Sequence, residues 1–311
     1  MKYKSINDLR KEIVKNITLF EKFELIVGVP RSGMLPATII ALHLNKQLSD
    51  LETFLNGQHF AQGTTRQVSD GQKTIKKVLV VDDSVGSGGS MQKVKEKVEN
   101  LKDRYNISYF APYVTRQNKN IVDFYFEVLS IPRAFEWNIM HHPILKEACL
   151  DFDGVLCEDP AEAQNDDGKK YIEFILNAKP LFLTKHPVGI IVTSRLEKYR
   201  SQTEAWLEKH KIKYEELIML ENYSAKERSR LQIHGKFKGN FFSKSDKVLF
   251  IESNKKQAAE IATLSGKHVL CTEDFKVYEP SNFQIKTHIA KSKSLVKKIF
   301  DKFKTISRKL T

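Results

Sequence analysis

The sequence has few residues that could cross-link a fold, and no stretch that could span a membrane as a helix. It contains three cysteines, Cys149, Cys157 and Cys271, and none of them forms a CxxC pair. This pattern argues against a disulfide framework and against a cysteine-ligated zinc site. No apolar run approaches the roughly 20 residues of a membrane span, and the N-terminus has no apolar signal core. We therefore expect a cytoplasmic protein.

Acidic residues are nearly absent from the C-terminal end of the chain. Residues 291–311 contain eight Lys or Arg and the single acid Asp301, within a chain of net charge +13. The apolar residues of this segment have helical spacing, so it is expected to form a basic amphipathic helix. This helix could lie on an anionic membrane surface, or it could pack on its own domain with a solvated lysine face. No nucleic-acid recognition motif accompanies the charge, so we expect no nucleic-acid partner. The apolar positions at helical spacing are Leu295, Val296, Ile299, Phe300, Phe303, Ile306 and Leu310.

The most informative stretch is residues 77–90, KVLVVDDSVGSGGS. The apolar run Val78–Val81 predicts a buried parallel strand, and the residues from Met91 onward have helical spacing. Between them stand Asp82, Asp83 and a loop of small residues. A strand, a glycine-rich loop and a helix N-terminus favour phosphate binding, because free amides and the helix dipole point at one anion. A tight structural turn is the alternative.

This stretch resembles the loop of type I phosphoribosyltransferases that binds phosphoribosyl pyrophosphate (PRPP). That loop has a hydrophobic strand, two acids, a spacer and Thr-Gly-Gly-Thr, and residues 87–90 take its last four places. The resemblance implies that Asp82 and Asp83 hold the ribose hydroxyls. It also implies that the 5-phosphate is held by Val85, Gly86, Ser87, Gly88, Gly89 and Ser90. Hypoxanthine–guanine enzymes have an acid at the place of Gly86, so purine salvage of that kind is a poor fit.

A second strand–loop–helix unit precedes this stretch. The predicted strand Glu24–Val29 leads into a loop and then into a helix, Leu35–Leu44. An ordinary turn between strand and helix is one interpretation of the loop. By the same resemblance, it would instead meet the pyrophosphate of PRPP, through Arg31, Ser32 and Gly33.

Two further segments have open interpretations. Residues 56–73 are polar and glycine-rich without periodicity, which is typical of a lid, with Arg66 as a candidate pyrophosphate contact, or of a disordered excursion. Residues 132–138, PRAFEWN, could line an acceptor pocket, or they could close the domain as a plug against the second half of the chain. The acceptor-binding candidates in that segment are Glu136, Trp137 and Asn138.

Local periodicity predicts the remaining elements of this half. Residues 6–20 have the pattern of a helix, and Ser5 stands before them as a cap, with an acid three positions later. Strands are expected near Ile107–Val114 and Ile121–Leu129.

A second chemistry begins at residues 146–154, KEACLDFDG. Asp151 and Asp153 stand two positions apart at a strand end, so they point to the same side and suit a shared Mg²⁺. Two more apolar strands follow, Gly189–Thr193 and Val248–Glu252. Three strands that end in Asp, Thr and Glu in this order resemble the haloacid dehalogenase-like (HAD) phosphatases, over about 110 residues.

The HAD resemblance implies a role for each of these side chains. Asp151 would be the nucleophile that forms an aspartyl-phosphate, and Asp153 the general acid and base. Thr193 would bind the phosphoryl oxygens. Glu252, where many members have Asp, would complete the Mg²⁺ site with the two aspartates. The lysine that neutralises transition-state charge is taken to be Lys238, with Lys226 and Lys236 as alternatives.

Only 39 residues separate Asp153 from Thr193, and residues 160–168 have the composition of a loop. This spacing leaves no room for a large cap domain, and capless members of the superfamily tend to act on bulky substrates. We expect an α/β protein with two domains and a tail. Residues 1–145 would form a type I phosphoribosyltransferase-like parallel sheet, and residues 146–285 a HAD-like Rossmannoid sheet with a minimal cap. Residues 286–311 would form the basic amphipathic helix.

The whole chain resembles the fused phosphoribosyltransferase–phosphatase proteins of bacterial surface-polysaccharide synthesis. The resemblance implies a Mg²⁺-dependent transfer of 5-phosphoribosyl from PRPP to a glycan hydroxyl on a lipid-linked carrier. Removal of the 5-phosphate would then leave a ribofuranosyl residue. Two alternatives remain open: nucleobase salvage coupled to nucleotide dephosphorylation, and a PRPP-sensing module fused to a phosphatase.

Overall fold

The computed structural model describes residues 1–60, 75–221 and 233–280. Arg66, Lys226 and the tail of residues 286–311 lie outside this part of the chain. Contacts divide the chain into two compact units, Met1–Asn138 and Ile139–Thr311. The division predicted from the sequence falls seven residues later, after residue 145. Within the described ranges, no helix is both long enough and apolar enough to cross a membrane.

The first unit alternates strands and helices. Its elements are β1 (Lys2–Lys4), α1 (Ile6–Lys15), β2 (Leu25–Gly28), α2 (Met34–Leu44), β3 (Gln47–Asp50), α3 (Leu51–Leu55), β4 (Lys77–Val81), β5 (Ser84–Val85), α4 (Gly89–Lys97), β6 (Asn106–Phe110), β7 (Tyr113–Val114), β8 (Glu127–Val128) and β9 (Arg133–Phe135). The central sheet is parallel, with the order β3–β2–β4–β6. Two smaller parallel pairings join β5–β7–β8 and β1–β9.

Both faces of the central sheet are buried. Successive residues of a strand face opposite sides, so β2 and β4 contribute to two separate cores. One core contains Leu25, Val27, Val78 and Val80. The other contains Ile26, Leu79 and Val81. Burial on both faces accounts for the continuous apolar runs by which these strands are recognised in the sequence.

The N-terminal helix begins at the predicted cap. The Ser5 hydroxyl accepts a hydrogen bond from the Asp8 backbone N–H at 3.1 Å, and the Asp8 carboxylate accepts one from the Ser5 N–H at 3.0 Å. The regular helix ends at Lys15, earlier than predicted, and a 3₁₀ turn follows at Ile17–Phe20.

The strand predicted over Ile121–Leu129 is wrong for most of its length, since only Glu127–Val128 pairs as a strand. Residues Arg116–Ile121 form a 3₁₀ helix instead. Farther along, the Asp123 carboxylate accepts the backbone N–H of Tyr109 at 2.8 Å. A side chain thus takes a place that a strand carbonyl would take in a ladder.

The second unit is built on one open sheet. Its elements are β10 (Ala148–Leu150), α5 (Lys169–Asn177), β11 (Val188–Leu196), α6 (Arg200–Lys209), β12 (Tyr214–Leu220), α7 (Ile233–Lys244), β13 (Leu249–Glu252), α8 (Lys255–Ser265), β14 (His268–Cys271) and β15 (Lys276–Tyr278). The strand order is β12–β11–β10–β13–β14–β15, and β15 alone of these runs antiparallel to its neighbour. The strands β11, β10 and β13, which contain or directly precede the predicted site residues, are therefore adjacent.

Candidate functional sites

Two carboxylates follow β4 at the carboxyl edge of the first sheet. Asp82 and Asp83 are both buried, and Asp82 accepts the Asp83 backbone N–H at 2.8 Å. The Asp83 carboxylate accepts two side-chain hydrogen bonds, from the Ser32 hydroxyl at 2.8 Å and from the Trp137 indole N–H at 2.6 Å. Asp83 thus connects three separate predicted site segments of the first unit.

The loop that follows β2 comes close to the same edge. A Cβ added at Gly33 would lie 2.6 Å from the carbonyl oxygens of Val29 and Val81, so a larger residue could not occupy this place. The close approach lets Ser32 reach Asp83. Arg31 is exposed at the tip of the loop, and its peptide bond with Pro30 is cis.

The loop Val85–Ser90 leads into α4. The carbonyl oxygen of Gly86 accepts hydrogen bonds from Thr115 Oγ1 at 2.8 Å and Asn118 Nδ2 at 2.7 Å. Gly88 has φ +87° at the start of the helix, a backbone conformation that residues with a Cβ rarely adopt. The side chains of Ser87 and Ser90 are exposed. Exposed hydroxyls thus lie beside a helix N-terminus, whose free backbone N–H groups and dipole favour an anion.

Gly88→Ala is expected to weaken PRPP binding. The new Cβ would overlap Ile121 Cδ1 and hold the backbone in a strained region, at a cost of about 1–2 kcal/mol in the free energy of unfolding. Gly57→Ala is the control, because Gly57 also has positive φ but a Cβ there meets no atom within 4 Å. Calorimetric titration with PRPP should show a weaker affinity in Gly88→Ala alone. Equal affinities in the two variants would contradict this assignment of the loop.

Burial raises the pKa of Asp82 to about 7, and the charge of Asp83 adds to the rise. Between pH 4 and 7 the folded state therefore keeps a proton that the unfolded state has released. The resulting stabilisation is fully present below the unfolded pKa of 3.8 and is lost as the pH rises through about 7. Ionised Asp82 thus destabilises the fold at alkaline pH.

Asp82→Asn removes this titration and should lose less stability than the wild type between pH 5 and pH 8. The difference between the two proteins over this interval is expected to be about 2–3 kcal/mol in the free energy of unfolding. Urea unfolding at both pH values measures it, with exposed Asp103→Asn as the control. If the free energy of unfolding depends on pH in the same way in the wild type and in Asp82→Asn, the loss of stability does not come from Asp82.

The side chains of residues 132–138 have different surroundings. Trp137 stacks on Phe135, with ring centroids 4.9 Å apart, and bonds Asp83. The Glu136 carboxylate accepts the Ile6 backbone N–H at 2.8 Å, so it lies at the start of α1. Asn138 Oδ1 is buried without a hydrogen-bond partner among the described residues. Sequence reasoning missed Arg133, which is buried beside Gly86.

The second unit brings another set of predicted residues together. Asp151 follows β10, Thr193 lies in β11, and Glu252 ends β13. All three side chains are buried. Because these strands are adjacent and parallel, their polar residues meet at the carboxyl edge of one sheet.

Lys238, in α7, joins two of these carboxylates. Its Nζ lies 2.6 Å from Asp151 Oδ2, 2.8 Å from Glu252 Oε2 and 3.1 Å from Gln257 Oε1. Of the three lysines considered from the sequence, Lys238 therefore lies at the carboxylates, whereas Lys236 is exposed.

The electrostatics of this cluster follow from burial. Burial and then the charge of Glu252 raise the pKa of Asp151 well above its usual range. Burial acts to lower the pKa of Lys238, but the charges of Asp151 and Glu252 outweigh it and raise that pKa. Lys238 therefore stays an ammonium between the two carboxylates.

Asp153 is held by a residue that sequence reasoning missed. Arg195, in β11, binds its carboxylate with Nη2 at 2.6 Å and Nε at 3.1 Å. The guanidinium is buried, with Cζ 3.9 Å from the centre of the Phe152 ring. The residues Thr193-Ser194-Arg195 at the end of an apolar strand were the available signal, but only the Thr was used.

The carboxylates at this edge are paired with cationic side chains and are not arranged around one point. In the ranges 1–60, 75–221 and 233–280, no group of three or more His, Cys, Asp or Glu is arranged around a single point as metal ligands. Asp151 and Glu252 turn towards Lys238, and Asp153 turns towards Arg195. However, one lysine neutralises only one of two buried carboxylates, and carboxylate oxygens are the donors that Mg²⁺ prefers. The donor chemistry thus suits a divalent cation although the side chains are paired with Lys238 and Arg195 in this structure, and the set of Asp151, Asp153 and Glu252 stays a prediction.

A cavity of about 910 Å³ opens at these residues. It is lined by the two aspartates, Ser194, Lys238 and Ser253, and by residues of the flanking segments such as Asp159 and Asn165. The segment 160–168 contains only the short 3₁₀ turn Glu162–Gln164. The volume lies within the range of small-molecule binding sites.

The first unit matches a known protein family. Residues 2–136 match the family model described as a phosphoribosyl transferase domain. The matched range contains Ser32, Asp82, Asp83 and the loop Val85–Ser90. The N-terminal part of the chain is therefore a phosphoribosyltransferase domain, as predicted. No curated protein matches the chain.

Solved structures give weaker likenesses. A purine phosphoribosyltransferase from Pyrococcus horikoshii Ot3 is 21% identical, with a TM-score of 0.32, over 44% of this chain and 92% of its own. The Helicobacter pylori xanthine-guanine-hypoxanthine phosphoribosyltransferase is 18% identical, with a TM-score of 0.34, over the same shares of the two chains. At these TM-scores, the substrates of those proteins do not carry over to this chain.

Proposed function

We propose that the chain is a bifunctional enzyme. Its first unit transfers 5-phosphoribosyl from PRPP to an acceptor hydroxyl, and its second unit then removes the 5-phosphate to leave a ribofuranosyl residue. The acceptor that we propose is a surface-polysaccharide glycan on a lipid-linked carrier. The match to a phosphoribosyl transferase domain supports the first step. The proposal that a second activity accompanies the first rests on one observation, the buried cluster of Asp151, Lys238 and Glu252 at the second sheet of the same chain.

In the transfer step, Asp82 and Asp83 bind the ribose hydroxyls, and the amides of residues 85–90 bind the 5-phosphate. The bond between C1 and the pyrophosphate oxygen breaks through an oxocarbenium-like transition state. The acceptor oxygen then bonds to C1 and loses its proton. Arg31, exposed at the loop tip, lies free to stabilise the leaving charge. Phosphoribosyltransferases generally use Mg²⁺ with PRPP, and a bound Mg²⁺ would further neutralise the charge of the pyrophosphate.

In the second step, Asp151 attacks phosphorus and the bond from phosphorus to the ribose O5 breaks. Asp153 gives a proton to that oxygen, and Arg195 fixes the position of its carboxylate. Water then attacks the aspartyl-phosphate, Asp153 accepts the proton, and inorganic phosphate leaves. Thr193 and Lys238 bind the phosphoryl oxygens. Mg²⁺ held by Asp151, Asp153 and Glu252 would add charge neutralisation at the phosphoryl group.

The openness of the proposed phosphatase site supports a large acceptor. The segment between Asp153 and β11 contains α5 and short turns but no separate cap domain. A large acceptor can therefore bring its phosphorylated end into the cavity. The basic tail of residues 291–311 supports contact with an anionic membrane, where a lipid-linked carrier would lie.

The test is an incubation of Asp151→Asn with PRPP, Mg²⁺ and two acceptor pools, nucleobases and a lipid-linked glycan extract. Mass spectrometry identifies the pool that gains phosphoribosyl. We expect the glycan to gain it, and addition of wild-type protein to remove its phosphate. Phosphoribosyl on a nucleobase would instead establish salvage. Tight PRPP binding without transfer to either pool would identify a sensor.

A further inference from the structure

A buried arginine lies beside the loop Val85–Ser90 and has no part in the two steps above. Arg133, in β9, is 8% exposed. Its Nη1 has no hydrogen-bond partner among the described residues. A buried donor without a partner costs free energy, and a charged one costs more. A guanidinium kept in this state is suited to a ligand that completes its hydrogen bonding.

The neighbours of Arg133 fix it within the site. A Cβ added at Gly86 would lie 3.4 Å from Arg133 Nη2, so the guanidinium covers the loop at that point. Its Cζ lies 5.4 Å from the centre of the Phe135 ring. Phe135 in turn stacks on Trp137, whose indole binds Asp83. Arg133 is therefore positioned by the same aromatic stack that holds a predicted ribose-binding carboxylate.

The loop lacks a cation of its own. Residues 84–90 contain no Lys or Arg, so they offer only amides and hydroxyls to an anion. Thr115 and Asn118, which bind the Gly86 carbonyl oxygen, are uncharged. Among these residues, Arg133 alone could therefore offer a full positive charge to a phosphate or a carboxylate bound at this place.

We propose that Arg133 binds an anionic oxygen group of a substrate, a phosphate or a carboxylate, beside Gly86. The proposal rests on the proposed function, because it places the substrates of the transfer step at this loop. The anionic group could come from either of two substrates, as the 5-phosphate of PRPP or as an acidic group on the acceptor. The planar guanidinium offers either of them a charge-assisted hydrogen bond from Nη1.

The test measures the binding of PRPP and of ribose 5-phosphate by calorimetry, without turnover. The variants are Arg133→Gln and Arg133→Lys, and exposed Arg116→Gln is the control of equal charge change. If the 5-phosphate is the anion, Arg133→Gln should weaken both affinities about 10- to 100-fold, and Arg133→Lys should recover part of the loss. Thermal unfolding of each variant identifies a folding defect.

The second arm tests the acceptor. If Arg133→Gln binds PRPP like the wild type, its transfer to acidic sugars relative to neutral sugars should fall about 10- to 100-fold. Unchanged affinity together with unchanged acceptor preference would overturn the proposal, and so would equal effects in Arg116→Gln. Loss of binding that only parallels a lower melting temperature, with no recovery in Arg133→Lys, would also overturn it. Failure of the wild type to bind PRPP would contradict the proposed function itself.

Discussion

Asp151→Asn should lower the rate at which inorganic phosphate is released from the phosphoribosylated acceptor by about 10⁴-fold or more. The amide keeps the shape of the carboxylate but lacks the nucleophilic oxygen. Release of pyrophosphate from PRPP should continue at the wild-type rate, since the Asp82–Asp83 site lies in the other unit. Separate assays of phosphate and pyrophosphate measure the two effects.

The stability of this variant is a second readout. Asp151 is a buried carboxylate whose pKa is raised by burial, so its ionised form destabilises the fold. Asp151→Asn should therefore be at least as stable as the wild type at pH 8. Asp246→Asn, an exposed acid before β13, is the control for both measurements. Phosphate release above a tenth of the wild-type rate would place the nucleophile elsewhere.

Lys238→Met should have the largest effect on stability, about 3–5 kcal/mol at pH 8. The change removes the ammonium that lies 2.6 Å and 2.8 Å from two buried carboxylates and leaves both without a cation. The loss should be smaller at pH 5, because protonation relieves the unpaired charge. Phosphate release should also fall about 10³-fold, through loss of transition-state stabilisation. Urea unfolding and phosphate assays measure these effects, with exposed Lys244→Met in the same helix as the control.

A double variant separates the ion pair from simple packing. If charge is the cause, Lys238→Met should cost less stability in an Asp151→Asn background than in the wild type. Additive losses would show that the Lys238 ammonium gains no stability from Asp151, and the electrostatic account of this pair would be wrong.

The sequence predicts the strands that support the sites because each is buried on both faces. β4 and β13 are continuous apolar runs that stop at polar residues, so strand and site residue are visible together. The strand predicted over Ile121–Leu129 is wrong for most of its length, although apolar residues of this range are buried. Phe124 and Phe126 pack on the core from irregular backbone, and only two residues of that range pair as a strand.

Partners far apart in the chain could not be predicted. Ser32 and Trp137 meet Asp83 across 51 and 54 positions, and Arg195 meets Asp153 across 42. Such contacts depend on how helices and loops pack on the sheet, which periodicity does not encode. The same limit left three lysines as candidates, whereas α7 brings Lys238 to Asp151 across 87 positions.

The central claim is that the two units act in sequence on one product. The most direct measurement follows pyrophosphate, inorganic phosphate and acceptor mass in one time course of the wild-type protein with PRPP, Mg²⁺ and the lipid-linked glycan. We predict one inorganic phosphate for each pyrophosphate, a lag before phosphate release, and a glycan that gains phosphoribosyl and then retains only ribose. Phosphate release from PRPP without pyrophosphate, or a glycan that keeps its phosphate, would contradict the account.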